Sequence, residues 1–138
     1  GLMTLADDSG LIVSALKDEL GVFTRRWGAG RQSTDEEWLE HFLKRMENEN
    51  NREATFVSCI CIVDGNGKLL TSARGENRGI LLDKIAVPIK SGVPLSSIFL
   101  SEGATKVNSA LSIEEKNKVS HRGKALKQIK EFLDNFKE

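Results

Sequence analysis

Residues 55–63 read TFVSCICIV, and the next four residues, 64–67, read DGNG. The first stretch is rich in β-branched residues and almost continuously apolar, which is typical of a central strand covered on both faces. The second stretch is a strong turn signal, so we expect residues 68–72 to return as an antiparallel partner strand. The middle of the chain therefore predicts a β-hairpin at the centre of a sheet.

An amphipathic helix is predicted before this hairpin. Capping-box spacing is present twice at its start, between Ser33 and Glu36 and between Thr34 and Glu37. The Asn-rich run 47–52 ends it. Its apolar residues recur at helical spacing and form one stripe, which consists of Trp38, Leu39, Phe42, Leu43 and Met46.

Two further helices are predicted near the C-terminus. Ser112 and Glu115 have capping-box spacing and open a short helix, and the last helix follows residues 120–123. That last helix has an apolar stripe with a 3.6-residue period, made of Ala125, Leu126, Ile129, Phe132, Leu133 and Phe136. Strands and helices together indicate a mixed α/β (α+β) fold around one sheet, and the length suits a single domain over residues 1–138.

The first part of the chain has weaker signals. Residues 2–6 indicate a strand that ends in the polar turn Asp7-Asp8-Ser9-Gly10, and residues 11–13 begin a second short piece. Residues 17–32 contain three glycines and are expected to form an irregular loop. Residues 83–110 hold both prolines and are expected to be rich in loops.

Asp7 and Asp8 are the first candidates for chemistry. Neighbouring side chains of a strand point to opposite faces, so the two carboxylates should have different roles. One could face a cavity and hold Mg²⁺ or activate water, while the other braces the turn. The alternative is an Asx turn in which either residue caps local amides, and spacing alone favours this alternative.

Two basic segments are further candidates. Residues 120–123 (SHRG) begin a helix, where free amides and an Arg suit an anion or a base; Ser120 as a simple N-cap with solvated neighbours is equally compatible. Arg25-Arg26-Trp27 could clamp a nucleotide, although a solvated basic loop with one anchoring Trp is favoured. His41 lies within the first helix and is interpreted as a surface or packing residue.

Composition excludes several classes of protein. Lys and Arg number 20, as do Asp and Glu, so the formal charge is zero and no nucleic-acid partner is expected. No apolar run approaches the ~18 residues of a membrane span, and the N-terminus lacks a signal-peptide pattern. Cys59 and Cys61 would point the same way on one strand, which indicates two reduced, buried thiols. We therefore expect a cytoplasmic protein with no membrane partner.

Four segments in order resemble the inosine triphosphate pyrophosphatase (ITPase, Ham1-like) family, which hydrolyses non-standard purine nucleoside triphosphates. Residues 5–11 (LADDSGL) are similar to its motif of two aspartates, serine and glycine at a strand end. Residues 20–27 (LGVFTRRW) resemble its next loop, and Thr34-Asp35 resembles the opening of its next helix. Residues 115–126 (EKNKVSHRGKAL) are the closest match. On this resemblance the chain is identified as a member of the family.

The resemblance implies an ITPase-like fold, in which helices flank a twisted mixed sheet. It also implies hydrolysis of ITP, dITP or XTP to the monophosphate and pyrophosphate, with Mg²⁺ as cofactor and a homodimer as the assembly. Asp8 would activate water and hold the metal, with Asp7 beside it as the second catalytic residue. Ser9 would contact the substrate. The base and the phosphates would be bound by Lys116, His121 and Arg122.

Substrate choice follows from hydrogen bonding. A 6-oxo purine offers an acceptor to Arg and His donors, whereas the amino group of adenine meets those donors unfavourably.

The chain also departs from the family pattern. The family begins upstream with a strand and a Thr/Asn…Lys loop that grips the triphosphate, so we expect this chain to be N-terminally truncated. Residues 92–97 (GVPLSS) stand where an aromatic-Gly-aromatic-Asp-Pro stretch is usual, and Trp38 stands where Asn is usual. Two alternatives follow. One is a catalytically degenerate nucleotide-binding or scaffold module, and the other is an assembly in which a second chain supplies the missing strand.

Overall fold

A computed structural model describes residues 1–136. Its sheet has five strands in the spatial order β2-β1-β3-β4-β5, and the four pairings between neighbours are antiparallel. The mixed α/β class is confirmed. The sheet was expected to be mixed, but every strand pair that the structure describes is antiparallel. The strands are β1 (Thr4–Val13), β2 (Lys17–Gly21), β3 (Glu53–Val63), β4 (Leu69–Leu81) and β5 (Phe99–Ser101).

Three α-helices accompany the sheet: α1 (Asp35–Arg45), α2 (Ile113–Val119) and α3 (His121–Asn135). Of the two possible starts for α1, the structure uses Thr34, whose hydroxyl accepts from the Glu37 amide while the Glu37 carboxylate accepts from the Thr34 amide. Ser112 and Glu115 form the same reciprocal pair before α2, as predicted. Within residues 1–136, no helix combines the length and the apolar character needed to cross a membrane.

Strand β3 lies between β1 and β4, as expected for the centre of the sheet. Most of its even-numbered residues, among them Ile60 and Ile62, are buried beneath the helices. On the opposite face Val57 is buried, whereas Cys59 is exposed and Cys61 half-buried. The expectation of a strand covered on both faces was therefore wrong, as was the expectation of two buried thiols. All helical core residues of the described chain pack on one face, and we call the opposite side the open face.

The covered face has two apolar clusters. In the first, α1 places Trp38, Leu39 and Phe42 against the ends of β1 and β4 and against residues 95–99. In the second, α3 places Ala125 and Ile129 on the β3–β4 hairpin. The two clusters thus hold one helix over each half of the sheet.

Pairing with β3 extends the strands beyond their sequence signals. Residues 7–10, expected to form a turn, continue β1 without interruption, because each pairs in register with β3 from Ile60 to Val57. Strand β4, expected over residues 68–72, runs on through Gly75 and Gly79 to Leu81. Part of the expected loop 17–32 is the edge strand β2. In each case the backbone hydrogen bonds of the ladder outweigh a local preference for turns.

Arg52 joins α1 to the end of β4. Its guanidinium donates to three main-chain carbonyl oxygens, those of Met46 (3.1 Å), Leu81 (2.6 Å) and Leu82 (2.7 Å). Met46 is the C-cap of α1, where carbonyl groups lack helical partners, so the Arg52 side chain satisfies the helix end and the strand end together.

Helix α3 crosses β4 in direct backbone contact at Gly75. A Cβ atom at this position would collide with the carbonyl oxygen of His121 and lie 2.7 Å from the amide nitrogen of Ala125. On either side of the crossing, Lys124 Nζ donates to the Glu76 carbonyl (2.7 Å) and Gln128 Nε2 donates to the Arg74 carbonyl (2.8 Å). Only glycine permits an approach this close.

Replacing Gly75 with Ala should destabilise the protein by about 1–3 kcal/mol, since the added methyl group meets helix backbone that cannot turn aside. Chemical denaturation monitored by circular dichroism measures the change. Ser72→Ala, on the open face of the same strand, is the matched control and should stay within about 0.5 kcal/mol of the parent. Equal stability of Gly75→Ala and the parent would contradict the close approach.

Candidate active site

A cavity of about 330 Å³ lies on the covered face, between β1, α1 and the start of α3. We call it the apolar cavity because its walls include an indole, a phenyl ring and the side chains of residues 93–95. It brings together the two polar motifs singled out in the sequence, one from each end of the chain. The residues that line it are Ser9, Gly10, Thr24, Arg25, Trp38, Phe56, Gly92, Val93, Pro94, Leu95, Ser96, Asn108, His121 and Arg122.

The alternation of β1 separates the two aspartates, as the sequence predicted. Asp7 lies on the covered face, where its Oδ2 is 2.7 Å from Arg122 Nε and its Oδ1 accepts from Ser58 Oγ at 3.0 Å. Asp8 lies on the open face, and its Oδ1 accepts from the backbone amide of Ser9 at 2.9 Å. One carboxylate is thus bound to the α3 motif, and the other is exposed on the far side of the sheet.

The second motif, residues 120–123, lies at the start of α3. Ser120 is the N-cap and accepts from the Gly123 amide at 2.9 Å, as one of the two sequence interpretations required. Its neighbours are not simply solvated, however. The His121 ring is stacked on Phe56, with centroids 5.3 Å apart and an interplanar angle of 19°, and Arg122 pairs with Asp7.

Burial lowers the pKa of His121 below its usual value of 6.5, and the positive charge of Arg122 lowers this pKa further. The Asp7 carboxylate acts in the opposite direction. His121 is therefore mainly neutral at pH 7, and a neutral imidazole carries one donor and one acceptor rather than two donors.

Arg25 and Asp35 hold the rim of the apolar cavity. The Arg25 guanidinium is 3.5 Å from the Asp35 carboxylate and donates to the Ser33 carbonyl at 3.1 Å. Asp35 also accepts from the Gly92 amide at 2.6 Å, so one carboxylate fixes two loops at the start of α1. Arg25 remains half exposed at the cavity edge, where it can meet an anion.

Trp27 has the anchoring role that was the favoured interpretation of the Arg25-Arg26-Trp27 segment. Its ring makes edge contacts with Trp38 (6.3 Å), His41 (5.3 Å) and Phe42 (5.9 Å) between centroids. His41 is accordingly a packing partner, as expected. Trp27 therefore fastens the basic loop to α1.

The cavity gathers some of the sequence candidates and leaves others outside. Ser9, His121 and Arg122 line it, whereas Asp8 faces away and Lys116 lies half-buried on α2 outside the lining. Trp38 and Phe56 were missed as site residues, because the sequence assigned one to an apolar stripe and the other to a buried strand. Phe56 and Ser58 are two residues apart on β3, so strand alternation predicts that their side chains lie on the same face of the sheet.

The two aspartates of β1 are the candidate ligands for a metal ion. Within residues 1–136, no three His, Cys, Asp or Glu side chains cluster closely enough to hold a metal ion. Mg²⁺ does not need such a cluster, since it is commonly bound by one or two carboxylates together with substrate phosphates and water. The exposed carboxylate of Asp8 fits one such ligand, whereas the Asp7 carboxylate is already engaged by Arg122 and Ser58.

Comparison with known proteins agrees with this fold. A model of the Ham1 family matches residues 1–132, and the chain belongs to this family. Two solved structures superpose with TM-scores of 0.86: the Ham1 protein of Staphylococcus aureus (31% identity) and a HAM1 protein of Coxiella burnetii (32%). Each superposition covers 99% of this chain and 69% of the other.

Curated relatives carry the name dITP/XTP pyrophosphatase. The protein of Aquifex aeolicus is 37% identical over 95% of this chain and 67% of its own length. That of Deinococcus deserti is 38% identical over 91% of this chain and 58% of its own length. The chain thus spans about two thirds or less of the length of these curated relatives.

The environment of His121 predicts two opposite pKa changes. Arg122→Gln removes a positive neighbour and should raise the pKa of His121, whereas Asp7→Asn removes a negative neighbour and should lower it. NMR titration of the His121 Cε1–H resonance measures both, and the parent midpoint should lie below 6.5. Movement of both midpoints in the same direction would show that the Asp7–Arg122 pair does not control His121.

Proposed function

We propose that this protein acts as a nucleoside triphosphate pyrophosphatase, which hydrolyses ITP, dITP or XTP to the monophosphate and pyrophosphate. One observation carries the proposal: Ser9 of the first motif and His121 and Arg122 of the second line a single cavity. Its walls are aromatic and aliphatic, and it is lined by two arginines, each beside a carboxylate. A flat base suits the walls, and phosphates suit the two arginines.

The volume of the apolar cavity supports a base-sized occupant. At about 330 Å³ the cavity lies at the lower end of the range for small-molecule sites, so it suits a purine rather than an entire nucleoside triphosphate. His121, stacked on Phe56, and Ser9 supply hydrogen-bonding groups within a largely apolar lining. The phosphates would then extend past Arg25 or Arg122 out of the cavity.

Asp8 is the proposed carboxylate for metal and water. When bound, Mg²⁺ supplies charge neutralisation for the phosphates. Asp8 faces the other side of β1, and β1 pairs with β2 only at Leu11 and Val13, so the phosphates would pass around the free edge of β1 to reach it. There Asp8 would hold the metal and position the attacking water, and Asp7 would orient Arg122 through their 2.7 Å contact. Lys116, five residues before His121 on the preceding helix, would meet phosphate oxygens. A cytoplasmic homodimer without nucleic-acid or membrane partners belongs to the same proposal.

A second candidate is a nucleotide-binding or scaffold module without turnover. The observation that favours it is the Asp7–Arg122 ion pair, which occupies the carboxylate on the cavity side and leaves Asp8 on the opposite face. Such a protein would bind the base without hydrolysing the triphosphate.

Pyrophosphate release from ITP, XTP and ATP in the presence of Mg²⁺ tests the enzymatic proposal. ITP and XTP should be hydrolysed in preference to ATP, and Asp8→Asn should reduce the rate by at least about a hundredfold, the low end of the contribution of a general base. Glu114→Gln, a surface carboxylate of α2, is the control and should leave the rate unchanged. Equal release by the parent and Asp8→Asn would refute the proposed role of Asp8.

Calorimetry separates the two candidates. Heat from ITP with no pyrophosphate release would identify a binding module, whereas the absence of heat from every purine nucleotide would refute both.

A further inference from the structure

Two buried polar atoms of the described chain have no hydrogen-bond partner: Ser9 Oγ and Trp38 Nε1. Other buried polar side chains are bonded, as Ser58 is to Asp7, Asn77 to Ser101, and Ser97 to the Pro94 carbonyl. Both unpartnered atoms belong to residues that line the apolar cavity. Since buried polar groups without partners are rare, two at one cavity indicate a ligand that completes them.

The indole N–H of Trp38 is a donor only, so it requires an acceptor. Its direction is set by packing. The ring is 1% exposed, stacks on Phe42 at 5.4 Å and 10°, and meets the edge of Trp27 at 6.3 Å. Trp38 sits in the second turn of α1, whose start is held by the Thr34–Glu37 capping box. A side chain held in this way cannot easily turn its donor elsewhere.

Ser9 differs because its hydroxyl can donate or accept. A ligand that satisfies both atoms therefore presents at least one acceptor to Trp38 and one further polar group, of either kind, to Ser9. The oxo–lactam edge of a 6-oxo purine has this pattern, with a carbonyl acceptor next to a ring N–H donor. Adenine presents an amino donor in place of this oxygen, so a base held with its C6 substituent against Trp38 would leave the Trp38 donor unsatisfied, although N1 and N7 of adenine remain acceptors elsewhere on the ring.

We propose that Trp38 Nε1–H donates a hydrogen bond to the exocyclic oxygen of a 6-oxo purine in the apolar cavity, and that Trp38 is a specificity-determining residue. This inference rests on the proposed nucleotide-binding function. Nε1 is covered in the structure, so the acceptor reaches it when a neighbouring wall side chain changes rotamer, a common accompaniment of binding.

The test uses ITP and ATP binding to the parent and to Trp38→Phe, each with Mg²⁺. Phe keeps an aromatic ring against Phe42 and Trp27 but removes the donor. Trp38→Phe should weaken ITP binding about tenfold and leave ATP binding unchanged, a loss consistent with one hydrogen bond. Trp27→Phe is the matched control, because its indole packs on the same cluster outside the cavity lining, and it should preserve the ITP/ATP ratio.

A second measurement needs no variant to bind ligand. The chain has two tryptophans, so a ¹⁵N-labelled sample shows two indole N–H resonances, which Trp38→Phe and Trp27→Phe assign. ITP should shift the Trp38 resonance downfield by more than the Trp27 resonance, and ATP should not. This readout applies to the parent protein even if Trp38→Phe folds poorly.

The outcomes are distinct. ITP binding that leaves the Trp38 resonance unmoved would overturn the role of Trp38 while the proposed function stands. Equal weakening of ITP and ATP by Trp38→Phe would show a packing role and overturn the inference as well. Failure of every purine nucleotide to bind would refute the inference and the proposed function together.

Discussion

The close crossing of α3 over β4 at Gly75 is the constraint on which the site depends. It fixes the height of the helix above the sheet, and with it the position of the helix start. At that height the His121 ring lies flat on Phe56 and the Arg122 guanidinium reaches Asp7. A helix seated higher by the thickness of a methyl group would move the starts of both side chains away from Phe56 and Asp7. The sheet therefore forms one wall of the site, and Gly75, which has no side chain, sets the distance between the sheet and α3.

Features encoded by local signals could be predicted from the sequence. The DGNG turn, the capping boxes of Thr34 and Ser112, and the apolar stripe of α1 all depend on neighbours within a few residues, and each appears in the structure. The candidate motifs around Ser9 and around His121 could also be picked out, because each groups charged or hydrogen-bonding side chains within a few residues. The resemblance to a known family suggested that they belong together.

Features that depend on distant partners could not be predicted in this way. Residues 7–10 have the composition of a turn and become a strand only because β3 offers ten residues of ladder in register. An apolar run such as β3 does not reveal whether one face or two are covered, since both cases use the same residues. Trp38 fits an ordinary helical stripe, and only its place in the cavity wall distinguishes it from a core residue.

The continuous pairing of β1 has a consequence for how this segment can change in length. Side chains of a strand alternate, so parity decides that Asp7 and Ser9 face the helices while Asp8 faces outward. Deleting one residue between Thr4 and Asp7 would leave this arrangement intact, because the pairing beyond it could continue in register. Deleting or inserting one residue between Asp8 and Leu11 would exchange the faces of the two carboxylates relative to the core residues Leu11 and Val13. Insertions or deletions of any length are therefore tolerated before the aspartates. After them, only changes by two residues keep the side chains on their present faces.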